Sequence, residues 1–555
     1  MRARPGPRSH FGPRSHFGPR PHSGPRPWLL LPALLVIHLL IALPAQLDRF
    51  GWQAFALPTP ELVVLVLAAL AIGRGFAGTA LRVAVTAGLG LVTVLKVADL
   101  AMLESLGRRF NPVGDLPLID ASVRLIAGSL GKPAAFGAVF GALVATALIL
   151  AGLWWAMGVL SRASPRAGWL RGVSLGGALL VAAAVTLAPS PRLPALVPAT
   201  FIYSQDRGEL ALRTLSELRR FRREVGTEAL TGLQDPLARI DRDVLVIFVE
   251  SYGRTSFDTE FFAAKHLQTL SEGQQILSAQ GLAMASGFLT SPTHGGQSWL
   301  AHAALANGLR IDDQTRYQAA IVSGRQTLFH HAAAAGFRTA AVMPAIVRPW
   351  PEAATMGFDR ILAAPDLGYR GQPFHWVTMP DQFTLAATDR LLRDGSDPRR
   401  LFAQIALISS HAPWTPVPWM LDWDDVGDGT EFDRMAQSGD PPNVVWRDRD
   451  RVRAQYRDTV DYSLRAVLDY AARQGDDAPL IMVIGDHQAA TSIGLDERRQ
   501  VPVHVIGPAA LVALTAGWGL SEGLIPEPGS PALPMESVRD LFLRNFSGGG
   551  DVPPA

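Results

Sequence analysis

Five apolar runs crowd into the first third of this 555-residue chain, at roughly 28–47, 56–73, 81–103, 134–160 and 169–188. Each is near the ~20 residues that a helix needs to cross a bilayer, and a chain with several such runs has few ways to fold in water alone. Glu61 interrupts the second run and makes it the weakest. Arg74 and Arg82 flank the second connection and Arg162, Arg166 and Arg171 the fourth, whereas the first and third connections mix both signs. The positive-inside rule then puts the N-terminus inside and everything after about residue 190 outside, and so many long runs argue against a cleaved signal peptide. The expectation is a five-helix transmembrane bundle over 28–188, multi-pass in the inner (cytoplasmic) membrane, with the remainder of the chain on the periplasmic side.

Residues 1–27 repeat a Pro-Arg-Ser-His-Phe-Gly unit, with Arg2, Arg4, Arg8, Arg14, Arg20 and Arg26 and no acidic residue. So much Pro and Gly cannot bury a core, so a disordered basic cytoplasmic tail is expected. Lys96 and Asp99 lie three apart on one helical face inside the third run, where each is costly without a partner, and they are expected to pair with each other or to face a polar groove. The segment from Arg108 to Lys132 reads as interfacial, and Glu209 to Glu224 as a charged juxtamembrane helix within a linker over 189–240. The formal net charge is only +2, which argues against nucleic acid as a partner. There is no cysteine, so disulfides, thiol nucleophiles, Cys-ligated zinc and cysteine-derived formylglycine are all excluded.

From Asp243 short apolar strands alternate with longer amphipathic helices. Strands are expected near 244–249, 338–343, 402–409, 480–485 and 501–506, and helices near 298–308, 325–335, 381–393, 452–474 and 535–545. That alternation predicts an α/β layered domain over 241–546 with a mainly parallel central sheet, followed by a short disordered tail over 547–555. Reactive groups in such sheets gather at the carboxyl ends of strands. Glu250 follows the first strand there, and Gly485-Asp486-His487 follows a later one. The oxygen and nitrogen donors of Glu250, Asp486 and His487 suit one hard or borderline divalent ion, manganese or zinc. Thr293-His-Gly-Gly-Gln-Ser298 leads into a short helix. Its position makes Ser298 either a plain N-cap or a nucleophile held where helix amides favour an anion. Ser410-His411 ends another strand, where His411 is either a loop histidine or a proton-transfer group.

In this order, strand-Glu250, Ser298-helix, strand-His411 and strand-Asp486-His487 resemble the sulfatase-like division of the alkaline phosphatase superfamily. The similarity is greatest to lipoteichoic acid synthase and related phosphoglycerol transferases, which share the order of spans, linker and extracellular catalytic domain. The resemblance implies metal ligands Glu250, Ser298, Asp486 and His487, with Ser298 the nucleophile. It implies substrate contacts from Arg348, Trp350 and His411, although Trp350 also reads as a core aromatic and Arg348 as a surface charge. Ordinary sulfatases begin the nucleophile helix Cys/Ser-x-Pro-x-Arg, whereas here Leu300 and His302 occupy the last two defined positions. Formylglycine is therefore not expected, and a serine alkoxide favours phosphoryl over sulfuryl chemistry. The second metal of alkaline phosphatases has only His294, His411 and His504 as candidates, and His504 reads better as a core histidine, so one metal is expected.

The resulting expectation is a metal-dependent phosphotransferase moving a phosphoglycerol or phosphoethanolamine headgroup from a lipid donor, with a lipid or envelope-glycan substrate. The alternatives are a sulfuric ester hydrolase or phosphodiesterase on a soluble substrate, and a non-catalytic membrane sensor of the same fold. Donor, acceptor and oligomeric state are not legible at this level.

Overall fold

The computed structural model describes residues 27–46, 51–56, 58–116, 118–187, 199–226, 235–348 and 350–548, so the expected basic tail and most of the expected C-terminal tail lie outside the described residues. The chain divides into two compact units, one built from Met1–Pro44, Arg49–Val94 and Ala145–Tyr203, the other from Ala45–Asp48, Leu95–Val144 and Ser204–Ala555.

Helices form at all five apolar runs: Leu30–Ala42, Pro60–Ile72, Phe76–Leu106, Lys132–Arg162 and Gly168–Leu187. Among the described residues, only Phe76–Leu106 and Lys132–Arg162 are long and apolar enough to cross a membrane. Two of the five expected spans thus have the length and composition of a crossing, and the first two helices are shortened for local reasons. The first helix stops at Ala42, just short of Pro44, and the second is bounded by Pro60 and by Gly73 at φ 67°. Each has 13 residues, about 20 Å of helix against a hydrocarbon core of about 30 Å. Ile37, Ile41, Leu89, Leu153 and Met157 form the core of the first unit. Leu91, Leu148, Val173 and Leu180 turn outward, each mostly exposed. Glu61, which interrupts the second run, has a specific task. Its Oε1 accepts the Thr200 amide at 2.9 Å, at the start of the helix Ala199–Val225. A carboxylate is favoured at that end of a helix.

In the second unit Asp99 is buried and has a charge partner far along the chain. Arg207 donates to it at 3.1 Å and the Phe110 amide at 2.9 Å. Arg207 lies on the Ala199–Val225 helix, more than a hundred residues away, so the expectation built on the local pair Lys96–Asp99 missed this partner.

The same unit carries a nine-stranded sheet: β1 Val244–Val249, β2 Ala283–Thr290, β3 Arg338–Met343, β4 Arg360–Ala363, β5 Leu401–Ala406, β6 Leu480–Gly485, β7 Gln500–Gly507, β8 Ser521–Glu522 and β9 Ala532–Pro534. The order is β4-β3-β5-β1-β6-β7-β2-β8, with β9 on β2. The run β4-β3-β5-β1-β6 is parallel, while β7 pairs antiparallel with both β6 and β2. Strands β2, β4, β8 and β9 were not anticipated.

Alternation within the strands feeds two cores. Leu245, Ile247 and Val249 of β1 and Ile481 and Val483 of β6 face one layer with Phe262, Phe383 and Tyr456. Val244, Val246, Phe248, Leu480, Met482 and Ile484 face the other, with Leu305, Phe329 and Phe542. Strands buried on both faces read as continuous apolar runs, which is why β1 and β6 contain no polar residue. Because β1, β5 and β6 are parallel, the residues that follow all three emerge on one edge of the sheet.

Candidate active site

Two loops interlock at that edge. Gly253 after β1 packs so closely on Gln488 that a Cβ would lie 1.4 Å from Gln488 Oε1, and a Cβ on Gly485 would meet the Tyr252 carbonyl at 1.8 Å. Only glycine permits either approach. Ser251, at φ 57°, takes the left-handed conformation, which directs its amide to Asp486 Oδ1 at 2.8 Å. The His487 amide donates to the same oxygen at 2.7 Å. The carboxylates of Glu250 and Asp486 are thereby brought beside His487, with one ligand atom of each within 4.8 Å of the others.

Ser298 completes the group. Gly295 and Gly296 both have positive φ, and Gln297 at φ 69° starts the helix Ser298–Asn307 without a side-chain cap. Ser298 is thus the first helical residue and not the N-cap. Its Oγ donates to Glu250 Oε2 at 2.8 Å. Glu250, Ser298, Asp486 and His487, far apart in the chain, come together in one cluster.

The donor set fits a divalent cation. Two carboxylates share one buried space, Glu250 being 7 % and Asp486 1 % exposed. Burial and the charge of Glu250 push Asp486 up to about 8. Burial also works against ionisation of Glu250, but the neighbouring His487 outweighs it and holds the carboxyl below the usual range. His487 would be depressed by burial, yet Asp486 and Glu250 raise it to about 9. Such a cluster calls for positive charge, from protons or from a metal ion. His487 Nδ1 is directed to the Gln488 carbonyl at 3.0 Å. That contact makes Nδ1 a donor and leaves Nε2 as the nitrogen open to a proton or a metal ion. Nε2 is buried without a hydrogen bond, in charge contact at 3.1 Å with Glu250 Oε1.

His411 follows β5 on the same edge. The Ser410 hydroxyl donates to the Glu250 carbonyl at 2.6 Å, tying the two loops together. His411 Nδ1 is directed to the Ala412 carbonyl at 2.6 Å, and its ring stacks on Trp376 with centroids 3.9 Å apart. The loop is held from behind by Asp381, wholly buried, which accepts the amides of Ile408 and Ser409 at 2.8 and 2.9 Å and the Ser463 hydroxyl at 2.6 Å. Sequence reasoning missed both Asp381 and Trp376. A Pro-Asp pair opening the helix Asp381–Leu392 was the only available signal.

Trp350 packs among Met343, Ala406 and Phe358, the aromatic role that its sequence also allowed, and Arg348 is exposed. Neither makes a described contact with the four-residue cluster. His504 lies in β7 with both nitrogens engaged, by Tyr252 Oη at 3.0 Å and Ser286 Oγ at 2.8 Å. His294 is buried on the nucleophile loop, with Nε2 3.3 Å from the Asp496 carbonyl. His302, at the position of the sulfatase arginine, lies against Phe248, and burial holds it down to about 4, so it brings no charge there.

In comparison with known proteins, residues 242–503 match the family described as Sulfatase. No curated protein matches. Among solved structures, the lipoteichoic acid synthase LtaP from Listeria monocytogenes is similar at 13 % identity and TM-score 0.38, over 60 % of this chain and 79 % of that one. A protein in the alkaline phosphatase superfamily from Vibrio parahaemolyticus is similar at 16 % identity and TM-score 0.32, over 53 % of this chain and 69 % of that one. Glu250, Ser298, Asp486 and His487 all lie within the stretch that matches the Sulfatase family, and the chain is an enzyme acting on sulfate or phosphate esters.

Proposed function

We propose that the chain is a membrane-held, metal-dependent phosphotransferase that moves a phosphoglycerol or phosphoethanolamine headgroup from a lipid donor through a covalent phospho-Ser298 intermediate. The observation that carries this reading is Ser298 Oγ at 2.8 Å from Glu250, in the same cluster as Asp486 and His487. Glu250, Ser298, Asp486 and His487 would hold a manganese or zinc ion, which would supply charge neutralisation at the transferred group and a lowered pKa at the serine hydroxyl.

The Ser298 proton already lies in a hydrogen bond to a carboxylate, so Oγ is oriented for attack. The Oγ–P bond forms as the bond from phosphorus to the lipid alcohol breaks, and the departing oxygen takes a proton. An acceptor hydroxyl or water then attacks phospho-Ser298, and Oγ leaves and recovers a proton. His411 serves these transfers through Nε2, since Nδ1 is committed to the Ala412 carbonyl. Arg348 and Trp350 are assigned to the headgroup, on the strength of the sequence resemblance. A serine that cannot become an aldehyde turns over a phosphoester more readily than a sulfate ester, and the uncharged His302 departs from the sulfatase pattern in the same direction.

Two helices able to span a bilayer, with outward-facing apolar side chains in the first unit, support a membrane location. On this reading residues 28–188 form the multi-pass region of the inner membrane, 189–240 the linker and 241–546 the periplasmic catalytic domain, whose site then works on lipid or envelope-glycan substrates.

The test is incubation of the purified chain with headgroup-labelled phosphatidylglycerol, headgroup-labelled phosphatidylethanolamine or an aryl sulfate, followed by acid quenching and peptide mapping. Label from a phospholipid on the Ser298 peptide is the expected result. Rapid aryl sulfate hydrolysis with no phosphoryl adduct on Ser298 favours the sulfuric ester hydrolase and overturns the transferase.

A further inference from the structure

The segment just beyond the helix Phe76–Leu106, the helix Ala199–Val225, the stretch around Asp312–Arg316 and Arg499 enclose a cavity of about 490 Å³, all within the second unit. Its walls carry six guanidinium groups: Arg108, Arg109, Arg207, Arg213, Arg316 and Arg499. Four bring carboxylate partners. Arg108 holds Asp115 at 2.7 Å, Arg207 holds Asp99 at 3.1 Å, Arg213 holds Glu209 at 2.8 Å and Arg316 holds Glu217 at 3.5 Å. Of the remaining lining acids, Asp312 pairs with Arg310, Asp313 accepts the amides of Thr315 and Arg316, and Asp206 is exposed.

Arg109 and Arg499 have no carboxylate within ion-pair distance among the described residues. Arg109 is exposed, whereas Arg499 is half-buried and donates only to the Pro292 carbonyl, at 2.9 Å. Burial and the like charges of Arg310 and Arg108 depress its pKa, with Asp312 opposing. A half-buried guanidinium with no carboxylate partner favours an anion, and its fork matches phosphate geometry.

The cavity also touches the nucleophile loop. Arg108 donates to Gln297 Oε1 at 3.1 Å, one residue before Ser298, and Arg499 holds Pro292 at the other end of the same loop. We propose that this cavity is a second anion site, which takes the phosphate of a phosphate-bearing group beside the nucleophile loop and apart from the Ser298 cluster. Its two open guanidinium groups suit free phosphate or an anionic lipid headgroup. The second source gains from position, because Arg108 and Arg109 directly follow a helix long enough to span a bilayer, the level at which lipid phosphates lie. Phosphate capture here does not require the phosphotransferase reading, but a role in delivering substrate rests on it.

Calorimetric titration of the metal-loaded full chain in detergent with inorganic phosphate tests the site. The wild type is expected to bind at two sites, Asp486→Asn to lose one and the double variant Arg109→Gln/Arg499→Gln to weaken the other by about tenfold or more. Arg109→Glu, at an exposed position, gives the same loss without touching the fold and covers the case in which the double variant melts early. Displacement of cavity phosphate by dihexanoyl phosphatidylglycerol identifies the headgroup as the source, and its failure to displace identifies free phosphate. Unchanged isotherms in both arginine variants overturn the cavity site. Unchanged isotherms in Asp486→Asn count against the Ser298 cluster alone, so the two ideas fail separately.

Discussion

The loop after β6 and the middle of β7 each bury a histidine to 2 % exposure, and the two differ in every respect that matters for chemistry. His504 sits opposite Val483 in the antiparallel pairing, with neutral hydroxyls on both ring nitrogens and burial holding its pKa down to about 3. His487 has one nitrogen fixed by a carbonyl and the other left without a hydrogen bond between two carboxylates, which raise it to about 9 against the pull of burial. Burial alone therefore does not distinguish a ligand from a core residue. What distinguishes them is whether the second nitrogen is used up by the protein.

That contrast breaks most visibly in turnover. Ser298→Ala should fold normally and lose activity by about 10⁴-fold or more, measured by label release from phospholipid. Near-wild-type activity in that variant would remove the nucleophile assignment. His487→Ala should lose bound metal and nearly as much activity, and chelation of the wild type should reproduce the loss reversibly, as read by activity before and after adding back manganese or zinc. His411→Ala should cost about a hundredfold in turnover while keeping the metal. Loss of metal in that variant would mean that His411 belongs to the ligand cluster.

His504→Phe should leave metal content and turnover alone and cost about 1–3 kcal/mol of stability, because the Tyr252 and Ser286 hydroxyls lose a partner. The same histidine sets a pH dependence. Its folded value of about 3 lies below the ordinary value of about 6.5, so the unfolded chain takes up the proton first. The stability it contributes is complete above about 6.5 and declines as pH falls towards about 3. Thermal melts across that window should show a shallower acid slope in His504→Phe than in the wild type. An equal slope would mean that other buried histidines, such as His266, dominate the acid response.

Much of this was legible because parallel strands buried on both faces are unbroken apolar runs with conspicuous ends. Val244–Val249 and Leu480–Gly485 could be read as strands, and Glu250 and Asp486-His487 were then fixed at one edge. Strand β2 was not legible, since Ala-Met-Ala-Ser-Gly-Phe-Leu-Thr is rich in small residues of low strand preference and is held by its pairing with β7. Asp381, Trp376 and the Arg207–Asp99 pair depend on contacts between distant segments, which no local pattern announces. Helix length in the apolar region turned on single prolines, Pro44 inside the first run and Pro60 inside the second, with apolar sequence on both sides of them.

The account rests on Glu250, Ser298, Asp486 and His487 enclosing one cation. Elemental analysis of the purified full chain at neutral pH, beside Asp486→Ala prepared identically, addresses this most directly. One manganese or zinc ion per wild-type chain, and none in the variant, is the predicted result. An empty wild type, or a variant that retains its metal in full, would contradict it.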